Sequence, residues 1–203
     1  MVDNVNMAYH HGNLREALVA AGVELARKGG PEAVTLREAT RAAGVSHNAA
    51  YRHFADRDDL LRAVCQRCMT ALAELMENRL ARLGRRRGVN HAWERLHEVG
   101  RAYVDFALTE PGQFRTAFGV PTTAEPLEPG EGKDPHGILS ACLDDLVAAG
   151  ALDPRRRPGA EFAPWSAVHG IATLLVDGPL RGMPKEEREA AIARVLEMGA
   201  RGL

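Results

Sequence analysis

The sequence has few cysteines, no long apolar run and no excess of charge, and each shortage excludes a class of protein. Its 203 residues include three cysteines, an odd and sparse set, and the N-terminus shows no secretion signal. This pattern argues against a disulfide framework and for reduced thiols. No apolar run approaches the roughly 18 residues of a membrane span. We therefore expect a cytoplasmic protein without a membrane partner.

Patterns typical of enzymes are missing as well. The sequence has no nucleophile elbow, no glycine-rich phosphate loop, no HExxH pattern and no tight Cys/His cluster, so we expect no enzyme activity, cofactor or metal. The net charge of -1 gives no global indication of nucleic-acid binding. The window between Glu38 and Asp56 differs from the rest, because it contains no acid and four basic residues: Arg41, His47, Arg52 and His53.

Helical periodicity runs through most of the chain, without a strand pattern or an internal repeat. We expect an all-α protein of about nine helices, with a three-helix head at residues 1–55 and a larger helical bundle at 56–203. Residues 162–176 are apolar nearly all round. Residues 119–135 are rich in Pro, Gly, Thr and Glu and predict a surface loop. The arginine triplets at 85–87 and 155–157 predict solvated loops.

The first sixty residues predict a helix-turn-helix. A first helix at residues 13–28 ends at a Gly-Gly-Pro sequence. Thr35 and Glu38 have the spacing of a capping box, which starts a short second helix. Gly44 permits a tight turn, Ser46 can cap a third helix, and Phe54 closes that helix.

The third helix has the properties of a DNA-reading helix. His47, Asn48, Tyr51 and Arg52 share one face, leaving Ala49, Ala50 and Phe54 for packing. In the major groove, Asn48 can pair with adenine and Arg52 with guanine. Hydroxyl groups at Thr35, Ser46 and Tyr51 are natural phosphate contacts, because free amides at helix N-termini favour anions.

Residues 35–46 and 51–61 together resemble the DNA-binding signature of the TetR family of transcriptional regulators. The segments 9–15 and 165–170 look like a subgroup whose regulatory domain carries a Trp-His-Gly motif. The resemblance implies a repressor that binds a palindromic operator in double-stranded DNA. It further implies a homodimer formed by the last two long helices, and DNA release when a small-molecule effector moves the fourth helix.

Two positions depart from the family pattern. Ala50 stands where a larger aliphatic residue is more usual, and Arg57 stands where the family has a phosphate-contacting lysine. The second change keeps the charge, so Arg57 joins His53 among the expected DNA contacts. The pair His10 and His11 is interpreted as a minor-groove or phosphate arm, with simple disorder as an equal alternative.

An effector pocket is expected in the C-terminal bundle. Trp165 and His169 lie one helical turn apart and share a face, so they are candidate walls. The other candidate walls are Tyr103, Phe106, Phe114 and Phe118. Plain core packing of these rings stays open as the alternative.

Cys65 and Cys68 form a Cys-x-x-Cys pair, which raises the alternative of a thiol-dependent redox enzyme or a metal or redox sensor. Both lie well inside a long predicted helix, on its apolar stripe, whereas a reactive thiol needs exposure and a nearby base. We interpret them as buried thiols. The sequence does not separate a repressor from an activator or an architectural DNA-binding protein.

Overall fold

The computed structural model describes residues 11–119 and 134–201. Within these ranges the regular structure is entirely helical, which confirms the expected all-α fold. The nine α-helices are α1 (His11–Gly29), α2 (Leu36–Ala43), α3 (His47–Ala50), α4 (Arg57–Arg82), α5 (Val89–Thr109), α6 (Pro111–Phe118), α7 (Pro135–Ala148), α8 (Phe162–Val176) and α9 (Lys185–Arg201), with two 3-10 turns at Pro31–Ala33 and Pro154–Arg156. The lead-in at Tyr9 and His10, and nearly all of the expected surface loop, lie outside the described residues.

Contacts among the described residues group into two compact units. The head unit comprises residues 11–68 and 110–119, and the body unit comprises residues 69–109 and 134–201. The division expected between residues 55 and 56 lies just before α4, whereas the contacts of the head continue along α4 as far as Cys68. Helix α6 also belongs to the head, although α5 immediately before it belongs to the body.

The head is built around a core in which α1 contacts α2, α3 and α6. Leu18, Phe54 and Leu60 are among its largest fully buried side chains. The Arg15 guanidinium lies over the Phe54 ring, 5.2 Å from its centre, which is a cation–π contact. This packing fixes the segment that follows α3, because Phe54 ends that segment.

The body is arranged around α5, which packs against α7, α8 and α9. Leu143, Leu146 and Ile192 are fully buried there. Arg101 of α5 donates to Asp105 on its own helix and to Glu189 on α9, so an ion-pair network supports the apolar contact between these helices.

One of the arginine triplets is not a simple solvated loop, contrary to the sequence-based expectation. Arg157 donates to Asp144 at 2.6 Å and to Glu161 at 2.7 Å, and also bonds Ser140. Its partners on α7 are distant in sequence, so periodicity alone could not predict them. None of the described helices is long and apolar enough to cross a bilayer.

Candidate DNA interface and ligand cavity

Side-chain caps hold the two helices of the predicted helix-turn-helix. Thr35 Oγ1 accepts a hydrogen bond from Glu38 N at 3.2 Å, and Ser46 Oγ accepts from Ala49 N at 3.3 Å. Only half of the expected capping box forms, because the Glu38 carboxylate pairs with the Arg41 guanidinium instead of returning to Thr35. Each capping hydroxyl accepts with its oxygen and can still donate its hydrogen to a phosphate.

The turn between the two helices has the expected geometry. Gly44 adopts φ 67° and ψ 29°, the left-handed conformation that ends α2. Nothing lies within 4 Å of a Cβ built at Gly44, so backbone conformation, not lack of space, explains the glycine.

Helix α3 is shorter than the sequence predicts. It ends at Ala50, and the next turn is tighter, because Arg52 N and His53 N donate to carbonyls three residues back. Phe54 N then bonds Ala50 O at 3.0 Å. The extra turn joins residues 51–54 to α3 through backbone hydrogen bonds.

The predicted reading face is exposed to solvent. His47, Asn48, Tyr51 and Arg52 are all exposed, and the His47 and Tyr51 rings meet edge to face at 4.9 Å. Ala50 is fully buried beneath them. His53 is half-buried. The division into a polar outer face and a packed inner face therefore matches the sequence-based expectation.

The side chain of Arg57 is engaged within the head. Its Nε donates to Val34 O at 2.9 Å, and a terminal nitrogen donates to Pro31 O at 2.7 Å. These bonds tie the first residue of α4 to the segment that precedes α2. Arg57 thus positions the start of α4, and the phosphate contact that the family resemblance implies for it stays a prediction.

The body contains a cavity of about 340 Å³. Its walls come from α4, α5, α7, α8 and α9, and they are mainly apolar: Met76, Leu96, Val99, Leu139, Val168 and Leu196. Both tryptophans of the chain, Trp93 and Trp165, line it. A concave, mostly apolar space with a few polar groups is typical of a small-molecule site.

The structure brings together only part of the predicted pocket. Tyr103 and Trp165 line the cavity, and His169 contacts the Tyr103 side chain. Phe106 is buried in the body without lining the cavity. Phe114 and Phe118 are in the head unit, where their ring centres lie 5.2 Å apart.

Sequence reasoning missed several residues that line the cavity. Trp93, His97 and Gly100 line it together with Tyr103, so one face of α5 forms a wall. Their spacing of three to four residues was a usable signal. The residues of α9 that line the cavity, including Glu197, could not be recognised in the sequence. The apolar positions of α9 predict only that the helix packs against another element.

A hydrogen-bonded chain crosses the wall of the cavity. The Tyr103 hydroxyl lies 2.7 Å from Nδ1 of His169 and is also bonded to the Trp165 side chain. The indole N–H can only donate, so the Tyr103 oxygen accepts from Trp165, whereas the donor in the contact between Tyr103 and His169 is set by the tautomer of His169. Burial raises the pKa of Tyr103 and lowers the pKa of His169. Burial therefore favours the neutral form of both side chains.

The two thiols of the Cys-x-x-Cys pair are buried. Burial raises the pKa of Cys65 to about 11 and the pKa of Cys68 to about 12. The Cys65 thiol donates to Thr116 O at 3.0 Å. Few thiolates form at neutral pH under these conditions, so the geometry gives no support to the thiol-dependent alternative.

Two family models match the chain. The model described as "Bacterial regulatory proteins, tetR family" matches residues 18–64. The model described as "Tetracyclin repressor-like, C-terminal domain" matches residues 96–198, which is half of the chain. A comparison with curated proteins gave no match.

Solved structures share the fold over nearly the whole chain. A protein of unknown function from Rhodococcus sp. RHA1 has a TM-score of 0.75 at 29% identity, with 98% of this chain and 99% of that chain covered. TetR from Acinetobacter baumannii AYE has a TM-score of 0.61 at 21% identity, with 91% and 93% covered. The regulator FadR from Bacillus subtilis, in complex with stearoyl-CoA, has a TM-score of 0.67 at 17% identity, with 93% and 98% covered. The last two show the fold alone, but the match to both family models, one of them over half of the chain, shows that this protein belongs to the TetR family of regulatory proteins.

Proposed function

We propose that this TetR-family protein is a transcriptional repressor that binds a palindromic operator as a homodimer and releases it when a small molecule occupies the body cavity. The observation that carries the proposal is the exposed polar face of α3. His47 and Asn48 project from α3, and Tyr51 and Arg52 from the turn that follows it, and Ala50 and Phe54 of the same segment are packed in the head core. A head that holds such a face rigidly suits entry into the major groove.

Each exposed side chain has a role that follows from its chemistry. Asn48 pairs with an adenine edge and Arg52 with a guanine edge, which selects sequence. His47, Tyr51 and His53 add contacts from α3 and the turn that follows it, and the hydroxyls of Thr35 and Ser46 donate to phosphates. Arg57 adds positive charge while it holds the start of α4 in place.

An unpartnered stripe on α8 supports the homodimer. Phe162, Ser166, Gly170 and Leu174 recur every four residues, and Phe162 and Leu174 are among the exposed large apolar residues. A Cβ built at Gly170 meets nothing within 4 Å, so packing within the chain does not require a glycine there. Met198 of α9 is exposed as well. An exposed stripe of small and apolar residues such as this suits a twofold interface, in which the same surface of both subunits meets.

Helix α4 supplies the mechanical connection for effector control. Met76 lines the cavity, while Leu60 and Leu61 at the other end of the same helix belong to the head core. A ligand that displaces Met76 therefore moves α4, and the paired α3 helices lose the one-turn spacing of roughly 34 Å needed to enter successive major grooves. The stearoyl-CoA complex of FadR illustrates that a protein of this fold can hold a small molecule.

The proposal is tested by selecting binding sites from random duplex DNA with the purified protein. The selection runs at a stated ionic strength near 0.15 M, because phosphate contacts make affinity salt-dependent. An enriched palindrome supports a dimeric, sequence-specific regulator. Weak, salt-sensitive binding without enrichment would refute sequence-specific recognition by α3.

A further inference from the structure

The cavity in the body offers a ligand no free ionic partner. Among the described residues that line it, none is a lysine or an arginine, and Glu197 is the only carboxylate. Glu197 is exposed to solvent and already interacts with another group of the protein. The imidazole of His97 is at an exposed position too. An ionic ligand would therefore lose its water shell in this cavity without gaining a buried counter-charge.

The polar atoms inside the wall are already hydrogen-bonded within the protein. The Tyr103 hydroxyl is bonded to the Trp165 side chain and lies 2.7 Å from Nδ1 of His169. The indole of Trp165 has a single N–H, and the contact with Tyr103 uses it. The Tyr103 hydroxyl has these two partners whichever tautomer His169 adopts. A ligand that depends on several hydrogen bonds would therefore find few groups here to make them.

The rest of the wall is apolar and comes from several helices. Leu96 of α5, Leu139 of α7, Val168 of α8 and Leu196 of α9 are all buried, and all line the cavity. The two tryptophans of the chain extend this surface. A ligand that displaces water from these side chains gains free energy in proportion to the apolar area that it covers.

We propose that the ligand of this cavity is an uncharged lipophilic compound with an aliphatic or aromatic framework. The inference rests on the proposed function for its regulatory meaning. Packing against the aliphatic and aromatic walls supplies the affinity, and the lack of a buried counter-charge selects against organic anions and cations alike. A volume of about 340 Å³ lies near the lower end of the range of small-molecule sites, so it suits a ligand of modest size.

Three ligands with the same ten-carbon chain test the charge preference: decanol, decanoate and decyltrimethylammonium, each below its solubility limit and micellar concentration. Tryptophan fluorescence reports binding, because both tryptophans line the cavity. The titrations run at about pH 8, where an ordinary histidine side chain is neutral. We expect decanol to bind roughly tenfold more tightly than either ion, because only the ions lose hydration that the protein does not replace. N-acetyltryptophanamide, titrated in parallel, controls for quenching in free solution.

Three variants locate the ligand and examine the carboxylate. In Trp93→Phe the remaining reporter is Trp165, and in Trp165→Phe it is Trp93. Decanol should change the emission of both variants, because both rings line one cavity. Glu197→Gln should leave decanol the tightest of the three ligands, because Glu197 is exposed and already engaged. The ligand series on the unaltered protein decides the charge preference without any variant.

Several results would overturn the inference: no binding of any of the three ligands, either ion binding as tightly as decanol, no response of either single-tryptophan variant, or a changed order of affinities in Glu197→Gln. A separate assay adds decanol to the protein bound to its selected operator. Selective binding of decanol that leaves the operator bound would contradict effector release and preserve the ligand class. Operator release by one of the ions but not by decanol would preserve effector control and refute the ligand class.

Discussion

Gly112 packs against Ala26 so closely that no side chain fits between them. A Cβ built at Gly112 would lie 2.1 Å from the Ala26 carbonyl oxygen and 2.5 Å from that of Arg27. The first turn of α6 thus rests on the end of α1, and Arg27 Nε donates to Glu110 at 2.9 Å beside it. This contact holds α6 in the head unit.

Replacing Gly112 with alanine should destabilise the head. The new methyl group meets backbone atoms that cannot move aside, and we expect a loss of about 1–3 kcal/mol or more in the free energy of unfolding. Urea unfolding followed by circular dichroism measures it. Gly137→Ala is the matched control, because its Cβ makes an ordinary contact at 3.5 Å with Asp134. Equal effects of the two substitutions would refute the close-packing argument.

Asn48→Ala and Tyr51→Ala should affect DNA binding in different ways. Loss of Asn48 removes a base contact, costs about 1–3 kcal/mol on the preferred site and relaxes selection at one position of each half-site. Loss of Tyr51 removes a phosphate contact and weakens binding to all sequences alike. Gel-shift titrations on the selected operator and single-base variants separate these effects. Arg82→Ala, an exposed arginine in the body, is the control. Unchanged selection by Asn48→Ala would remove this residue from the base contacts.

Leu174→Glu should convert the proposed dimer into a monomer. A charge on the α8 stripe would have to be buried without a partner at the twofold interface, which costs several kcal/mol. Val89→Glu is a matched control, because Val89 on α5 is 42% exposed and Leu174 is 40% exposed. Sedimentation velocity distinguishes monomer from dimer. If both variants remain dimeric, the interface lies elsewhere on the protein.

Tyr103→Phe should destabilise the body by about 1–3 kcal/mol, because the Trp165 N–H and His169 Nδ1 both lose the hydroxyl between them. Tyr51→Phe removes a hydroxyl from an exposed ring and should leave stability unchanged. Thermal unfolding of the two variants side by side makes the comparison. A small effect of Tyr103→Phe would mean that water can replace the hydroxyl.

Stability should fall in alkaline solution because of the buried thiols. The pKa is about 11 for Cys65 and about 12 for Cys68, whereas an exposed thiol has a pKa of about 8.5. The unfolded chain therefore loses these protons first. The stabilisation is complete below about pH 8.5 and is lost as the pH rises through the folded-state pKa values.

Unfolding free energies measured from pH 8 to 11 in the presence of a reductant test this prediction. In the double variant Cys65→Ala and Cys68→Ala, the free energy of unfolding should decline less steeply with pH, because the two thiols are absent. The other groups that titrate in this range are the same in both proteins. Parallel curves would show that the thiols do not contribute.

The sequence alone was sufficient where the structure depends on neighbouring residues. The predicted bounds of α8 agree with the observed Phe162–Val176, and the caps at Thr35 and Ser46 form as expected. The exposed face of α3 also followed from spacing. Helical hydrogen bonds and caps join residues only three or four positions apart, so a short stretch of sequence is sufficient to predict them.

Only the tertiary structure decided which distant residues meet. The sequence analysis predicted that Phe114 and Phe118 line the same pocket as Trp165, but α6, which carries both phenylalanines, packs in the head. No local sequence pattern of α6 indicates this packing partner. Arg57 finds its carbonyl partners in a segment more than twenty residues earlier, and the Trp93 and Trp165 rings line one cavity from different helices. Apolar packing is non-directional, so a hydrophobic face indicates that one side of a helix is buried but does not determine which other helix it packs against.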